Sequence, residues 1–462
     1  MRLNKKYQKC YSQFRSVLNS DRITVFSCIP KSMKKFFLQF STIFYFAIPT
    51  IAQEDYTTYS GEWMYTDYAY LPEIKTVQLH PEEAPLSPPF ISLSASTKLE
   101  CSFDDLSNGY RDYYFTLIHC THDWQPSDLH SSEYLKGFQE LNITDVESSF
   151  NTKTSFTHYR FDFPNEEIQL ALSGNYLLLV YEDGDKEKPV FTRRFVVYEE
   201  LVRFASRVKE ATIINDARFR QEVDVTVVHP YYPIVNPYSD FHLVILQNAR
   251  WDNAITDLDP VFVKNNELVF DHDEENNFDG GNEYRWVDLK SLRVQSDQVG
   301  LIQLENGIPH AYLLPDPKRT FAVYRSDRDI NGRFLIRNSD GFDDNLEADY
   351  VMVHFELPVD EPFTNASVYV SGEMSMKSYT RDNRMYYDSE AKSYKLEMLL
   401  KQGYYNYQYL VKENDSPYGK VDIIEGSHFS TENQYAIFAY NLEVNRFYDR
   451  VVGAIFTDSF NR

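Results

Sequence analysis

Apolar and polar residues alternate along most of this chain with a period of two, the spacing of a strand with one buried face. In the first two hundred residues FISLSA, TKLECSF, DYYFTLIHC, THYRFDF, NYLLLVYE and VFTRRFVVY carry that signal. In THYRFDF, for instance, Tyr159, Phe161 and Phe163 share one face while His158, Arg160 and Asp162 share the other. DLSNGY, Ser173-Gly174-Asn175 and DGDKEKP separate the strands with turn residues. Further along, VDVTVVH, FHLVILQ, ELVF and FAVYR predict strands, and VFVKNNELVF predicts a strand pair turning at Asn265-Asn266. From Ala366 onward, strands alternate up to a turn at Gly403. A strand holding Tyr404, Tyr405, Tyr407 and Tyr409 follows, its tyrosines divided between core and surface. No long helical period interrupts this pattern. The expected fold is all-β, with three consecutive antiparallel β-sandwich or immunoglobulin-like domains at 53–200, 201–358 and 359–462.

Composition agrees with strands. The 462 residues include 36 Tyr and 33 Phe, side chains that favour a pleated, half-buried surface. The N-terminus reads as a leader spanning 1–52. Lys34-Lys35 precede the apolar run FFLQFSTIFYFAIPTIA, and Thr50-Ile51-Ala52 forms a cleavage site. That run is shorter than the roughly 20 residues a membrane span needs. Residues 1–32 are polar and basic, and they read as an extension upstream of a true start at Met33, with the signal peptide at 33–52. Cleavage after Ala52 would put Gln53 first, without the cysteine a lipid anchor needs. The formal net charge of −23 would then fall to −31, because nine basic residues and one acid leave with the leader. An acidic chain without basic clusters argues against nucleic acid as a partner.

Four sets of residues invite a chemical reading. Asp271, Asp273, Glu275 and Asp279 lie in the acidic loop 271–283 and could supply oxygens to Ca²⁺. Counted from Asp271, however, the sixth and twelfth positions are Asn276 and Asn282, where an EF-hand needs Gly and Glu, so a solvated turn is the stronger reading. Asn248, Arg250, Trp251 and Asp252 resemble a sugar-binding or catalytic cluster. Trp251 in a core, with neighbours capping a turn, explains them better. His119, His122 and Asp123 are close enough in sequence to suggest metal ligands, but they straddle a strand end and its loop. Cys101 and Cys120, on consecutive strands, allow either one disulfide in an oxidising compartment or two buried thiols. Nucleophile-elbow, P-loop, zincin and dinucleotide motifs are all missing. No catalytic, cofactor-binding or metal residues are assigned, no cofactor is expected, and partner-binding residues are not identified.

A family resemblance rests on longer segments. SFDDL at 102–106, RDYYFTLIHCTHDWQPSDL at 111–129 and EYLKGF at 133–138 are followed by SFNTKTSFTHYRFDFPN at 149–165 and SGNYLLLVYEDGD at 173–185. QNARWDNA at 247–254, FDGGNEYRW at 278–286, SDRDINGRF at 326–334 and DYVMVHFEL at 349–357 continue the series. In this order they resemble the plug protein of the type IX secretion system of Bacteroidetes. The resemblance implies a non-enzymatic periplasmic protein that closes the periplasmic opening of the outer-membrane translocon barrel, its protein partner, with no membrane span of its own. It carries over no catalytic residues. The last domain is similar to early-set immunoglobulin-like domains, which include glycogen-binding modules. Here Gly372 is followed by Glu373, Met374 and Met376 in place of the tryptophans that stack sugars. The competing expectation is an exported carbohydrate-binding protein built of β-sandwiches. A transmembrane β-barrel would also be Tyr-rich, but these strands are unevenly spaced and divided by acidic stretches.

Overall fold

Strands dominate the computed structural model, which describes residues 63–256 and 258–460. The expected leader and its cleavage after Ala52 lie outside those residues. No helix among the described residues is long and apolar enough to cross a membrane.

Two sheets build the first sandwich. One orders Tyr68–Ala69, Pro189–Tyr198, Gly174–Glu182, Tyr113–Cys120 and Glu140–Asn142, with Phe90–Ser92 joined in parallel to Pro189–Tyr198. The other orders Ile74–Pro81, Leu99–Asp105, Thr157–Phe163 and Asp145–Ser148. Aromatic rings from alternate positions fill the space between them. Phe103 stacks on Tyr159 at 4.9 Å and meets Phe191 edge-on at 5.0 Å. Such pairs contribute about 0.5–1.5 kcal/mol each beyond the area they bury.

The middle sandwich is assembled from distant parts of the chain. Its first sheet orders Arg203–Glu210, Arg220–Val228, Glu267–Phe270 and Phe262–Lys264, with Asn277–Asp279 also on Arg220–Val228. Facing it, Phe241–Gln247 pairs with Gln434–Glu443, which pairs with Tyr448–Asp458. Gln247 and its ladder partner Tyr435 are 188 residues apart. Leu243, Ile245, Val225, Phe270 and Ile437 close one apolar core between the two sheets.

A third sandwich is inserted between those parts. One of its sheets sets Gly403–Glu413 among Arg285–Asp288, Phe334–Ile336 and Ala366–Ser371. The other orders Val299–Glu305, Ile308–Leu313, Tyr350–Pro358, Ser393–Lys401 and Tyr386–Asp388, with a parallel pairing of the second and third. Tyr405, Tyr407 and Tyr409 all enter its core, and Tyr404 is half-buried.

This topology corrects the boundary expected near Pro358. Tyr350–Pro358 pairs along its full length with Ser393–Lys401, so a division there would cut a sheet. Segments 201–358 and 359–462 are interleaved: 203–279 joins 434–458, and 285–425 forms the insert. Alternation shows that a strand has one buried face but does not say which strand lies beside it. The strand expected at FAVYR is also corrected. Those residues pair with no ladder, and Phe321 and Val323 are 99% and 90% exposed.

The chain crosses into the insert just after Asp279 and returns just after Glu425, and the two crossings run side by side. Asn282 Nδ2 donates to Glu425 O at 2.8 Å, the His428 amide to Gly281 O at 2.9 Å, and Asn433 Nδ2 to Gly280 O at 2.8 Å. A Cβ on Gly280 would stand 2.1 Å from His428 O, so this close approach requires glycine.

Candidate functional site

QNARWDNA sits where all three sandwiches meet. Leaving the strand Phe241–Gln247, Asn248 and Ala249 both take left-handed backbone (φ 52° each), which turns the chain sharply. Asn248 is held in that turn because its amide donates to Gln434 O at 2.7 Å and its side-chain oxygen accepts from the Gln434 amide at 2.9 Å. Trp251 is thereby laid against Phe438 of the middle sandwich and edge-on to Trp124 of the first, 4.8 Å away. The guanidinium of Arg194 lies 4.5 Å from the Trp124 ring and 5.9 Å from that of Trp251. Phe90, Leu177 and Val196 of the first sandwich complete an apolar seam with Val244, Leu246 and Tyr440 of the middle one.

Charged groups tie the insert to the same point. Arg250, 3% exposed, binds Asp252 through Nε at 3.0 Å and Nη2 at 2.7 Å. Tyr379 of the insert donates to the same carboxylate. Burial pushes the Asp252 pKa upward, but Arg250 and the hydrogen bonds outweigh it and hold the group below its ordinary value. Lys377 donates to Asn248 O at 2.5 Å, and burial, opposed by Glu373 and reinforced by Arg333, brings its pKa down to about 8. Glu373 faces Arg193 of the first sandwich at 3.3 Å. Arg333, within SDRDINGRF, donates to Leu86 O in the first sandwich and to Gln434 Oε1 in the middle one. A void of about 40 Å³ remains among Arg193, Arg333, Glu373 and Lys377.

Two further ties lie outside this junction. Asp104, in SFDDL, accepts from Lys401 of the insert at 2.6 Å, from His158 at 2.7 Å and from Tyr350 at 2.7 Å, and both Asp104 and Lys401 side chains are 1% exposed. At the crossings, Arg285 binds Glu425 and Asp316, Arg319 also binds Glu425, and Tyr407 and Tyr409 both donate to Asp316. Nearby, burial pushes the Glu283 carboxyl up to about 7, while hydrogen bonds from Tyr324 and the Glu432 amide oppose the rise.

The other sets read from the sequence do not converge. Asp271 joins Glu222 and Asp224 around the ammonium of Lys209, Glu275 faces His272, and Asp279 binds Arg220. His119 is buried among Tyr134, Tyr176 and Tyr448, with its pKa lowered to about 4 by burial. His122 instead binds Asp449 at 2.8 Å and stacks on His242, and Asp123 accepts from Thr121. Cys101 and Cys120 are separate buried thiols, one in the core of the first sandwich and the other in the apolar seam. Burial raises both thiol pKa values, Cys120 to about 12. Lys377 and Tyr379 complete the junction but stand in a stretch where nothing in the sequence distinguishes them. Only the Gly332 turn of SDRDINGRF points to a close approach there, since Glu373 donates its amide to Gly332 O at 2.7 Å.

The architecture is therefore that of a multi-sandwich β protein in which SFDDL, QNARWDNA, FDGGNEYRW and SDRDINGRF reach its internal junctions. Residues 74–199 match the family model for the first domain of the type 9 secretion system plug protein. The fold is similar to the crystal structure of a hypothetical protein from Parabacteroides merdae, with a TM-score of 0.83 and 34% identity, covering 86% of this chain and 100% of that one. Comparison with curated proteins returns no significant match. Residues 74–199 carry the first domain of the type IX secretion plug family, which supports involvement in type IX secretion.

Proposed function

We propose that this chain is a non-catalytic periplasmic protein that plugs the periplasmic opening of the outer-membrane translocon barrel. The observation that carries this reading is the mutual locking of the three sandwiches. Asp104–Lys401 joins the first to the insert, the Trp251 seam joins the first to the middle, and the paired crossings join the middle to the insert. A stopper has to keep its shape, and bodies joined by desolvated charge pairs resist hinge motion better than bodies on open linkers. Arg250 pairs with Asp252 and Arg193 with Glu373, while Lys377 and Arg333 are held by carbonyl oxygens, an arrangement that suits support better than turnover. The −31 charge expected after leader removal makes docking on a basic rim sensitive to salt. The leader expected at 33–52 would place the protein on the periplasmic side.

The test is twofold. Cross-linking in whole cells followed by affinity purification recovers this chain with the translocon barrel. A strain lacking the chain takes up antibiotics that the parent excludes, while the barrel remains in the outer membrane. An unchanged permeability in that strain, or recovery of the chain free of the barrel, would overturn the proposal.

A further inference from the structure

The outer face of the insert's five-stranded sheet carries a cluster the junction does not use. His310 lies on Ile308–Leu313 and His354 on the parallel neighbour Tyr350–Pro358, where Tyr312 is opposite His354. His310 Nδ1 and His354 Nε2 stand 2.8 Å apart. The Tyr312 ring stacks on His354 at 4.0 Å with 10° between planes and fixes the imidazole's orientation. Glu305, from the neighbouring edge strand, places Oε1 3.9 Å from His310 Nδ1. That carboxylate is positioned in turn by Tyr312, whose hydroxyl donates to it at 2.5 Å, and by Gln303 at 2.6 Å. On the other side, Glu397 is opposite His354 in the antiparallel ladder and faces its Nδ1 at 3.6 Å. Both histidine side chains are 17% exposed, so solvent and ions reach them.

We propose that His310, His354 and Glu305 form a binding site for a divalent late transition metal, with Zn²⁺ and Cu²⁺ as the fitting class. Two imidazoles and a carboxylate are the donor set such ions take, whereas Ca²⁺ and Mg²⁺ need all-oxygen shells. Glu397 plays the outer part. A carboxylate beside Nδ1 favours the tautomer with hydrogen there, which leaves the Nε2 lone pair directed at His310. In the empty site that lone pair accepts the His310 Nδ1 hydrogen. Metal takes the place of this hydrogen, which moves to Nε2 of His310. Zinc–nitrogen bonds of ~2.0–2.1 Å at a tetrahedral angle put the two nitrogens ~3.3 Å apart, so the rings need to separate by only about half an ångström. Glu305, 3.9 Å from His310 Nδ1, becomes the third ligand by turning its carboxylate partly away from Tyr312 and Gln303, and water completes the shell.

This site is independent of the plugging role, and its test does not involve the translocon. Titrating the purified full chain with ZnCl₂ in a calorimeter gives one site per chain, lost in His310→Ala and in His354→Ala. Glu397→Gln weakens it by roughly 10–100-fold, the usual cost of removing an outer-shell carboxylate. His272→Ala, outside the cluster, leaves the isotherm unchanged. Because both histidines stand on an outer sheet face, circular dichroism of the variants matches the parent. Electron paramagnetic resonance of the Cu²⁺-loaded parent adds a readout without mutation, in which hyperfine structure from two imidazole nitrogens is expected. A spectrum with one nitrogen or none, or zinc binding that survives His310→Ala, would overturn the assignment.

Discussion

Lys401→Met isolates the tie between the first sandwich and the insert. Methionine keeps an unbranched stem and removes the ammonium, which donates at 2.6 Å to both Asp104 and Asn345 O and lies 4.0 Å from the centre of the Phe156 ring. The carboxylate of Asp104 then remains buried with only His158 and Tyr350 to compensate it. Removing one partner of a buried pair costs about 3–5 kcal/mol, because the other charge is left desolvated. Asp104→Asn should cost a similar amount by stranding the ammonium. The double variant carries neither charge and should recover most of the loss, since an uncharged pair of similar volume is often neutral or better than the ion pair. Urea unfolding followed by tryptophan fluorescence is the assay, as Trp124 and Trp251 report on the adjoining seam. With a slope of ~1–3 kcal/mol per molar urea, each single variant lowers the midpoint by about 1 M or more. Coupling from the four-protein cycle should reach about 3 kcal/mol. Singles within about 0.5 kcal/mol of the parent, or a double variant equal to the sum of the singles, would refute the reasoning.

Other expectations follow from the same structure. Burial pushes the Glu283 carboxyl up to about 7 in the folded protein, above its ordinary value of 4.5. As pH rises through 4.5 the unfolded chain ionises first, so this group costs stability over that window and fully above 7. Glu283→Gln should therefore match the parent's melting temperature at pH 4 and exceed it at pH 8, and a difference constant with pH would count against the assignment. Alkylation in denaturant without reductant should modify both Cys101 and Cys120 on peptide mapping, whereas a linked pair would stay unmodified. A fragment covering 285–425 should give dispersed amide resonances, while one covering 359–462 should not, because its strand Gln434–Glu443 pairs with Phe241–Gln247 outside the fragment. Trp251→Ala should cost about 2–3 kcal/mol, less than a fully buried tryptophan because Trp251 is half-buried, and expose the link between Tyr198 and Arg203 to limited proteolysis, whereas a protease-resistant variant would remove the seam from the argument.

Period-two alternation made the strands readable because each sheet has a buried face, and THYRFDF behaves that way in the structure. FAVYR shows the weakness of that signal: it alternates, but Arg319 and Tyr324 anchor the segment where no strand lies alongside. The interleaving was hidden for a different reason. Phe241–Gln247 is a good strand whatever its partner, and nothing local marks a partner 188 residues away. The junction was half legible. Asn248 holds a turn and Trp251 packs half-buried against the seam, close to what its sequence suggests. The pairing of Arg250 with Asp252 under Tyr379, and the role of Lys377, arise only through the third dimension. His310 and His354, which are 44 residues apart, meet only because two strands run parallel.

The split middle sandwich also sets when the protein can finish folding. Its second sheet lacks two of three strands until residues 434–458 have arrived. Closing a loop of that length from an unfolded chain costs about 4–5 kcal/mol in entropy. An insert that folds first lowers this cost, because Arg285 and Glu425, at its two ends, are bonded to each other. The expected order of assembly is then the first sandwich, the insert, and last the middle sandwich, which clamps both. A chain truncated anywhere before its final hairpin lacks that clamp, so an incomplete product leaves apolar edges open to proteases and cannot pass for the finished protein.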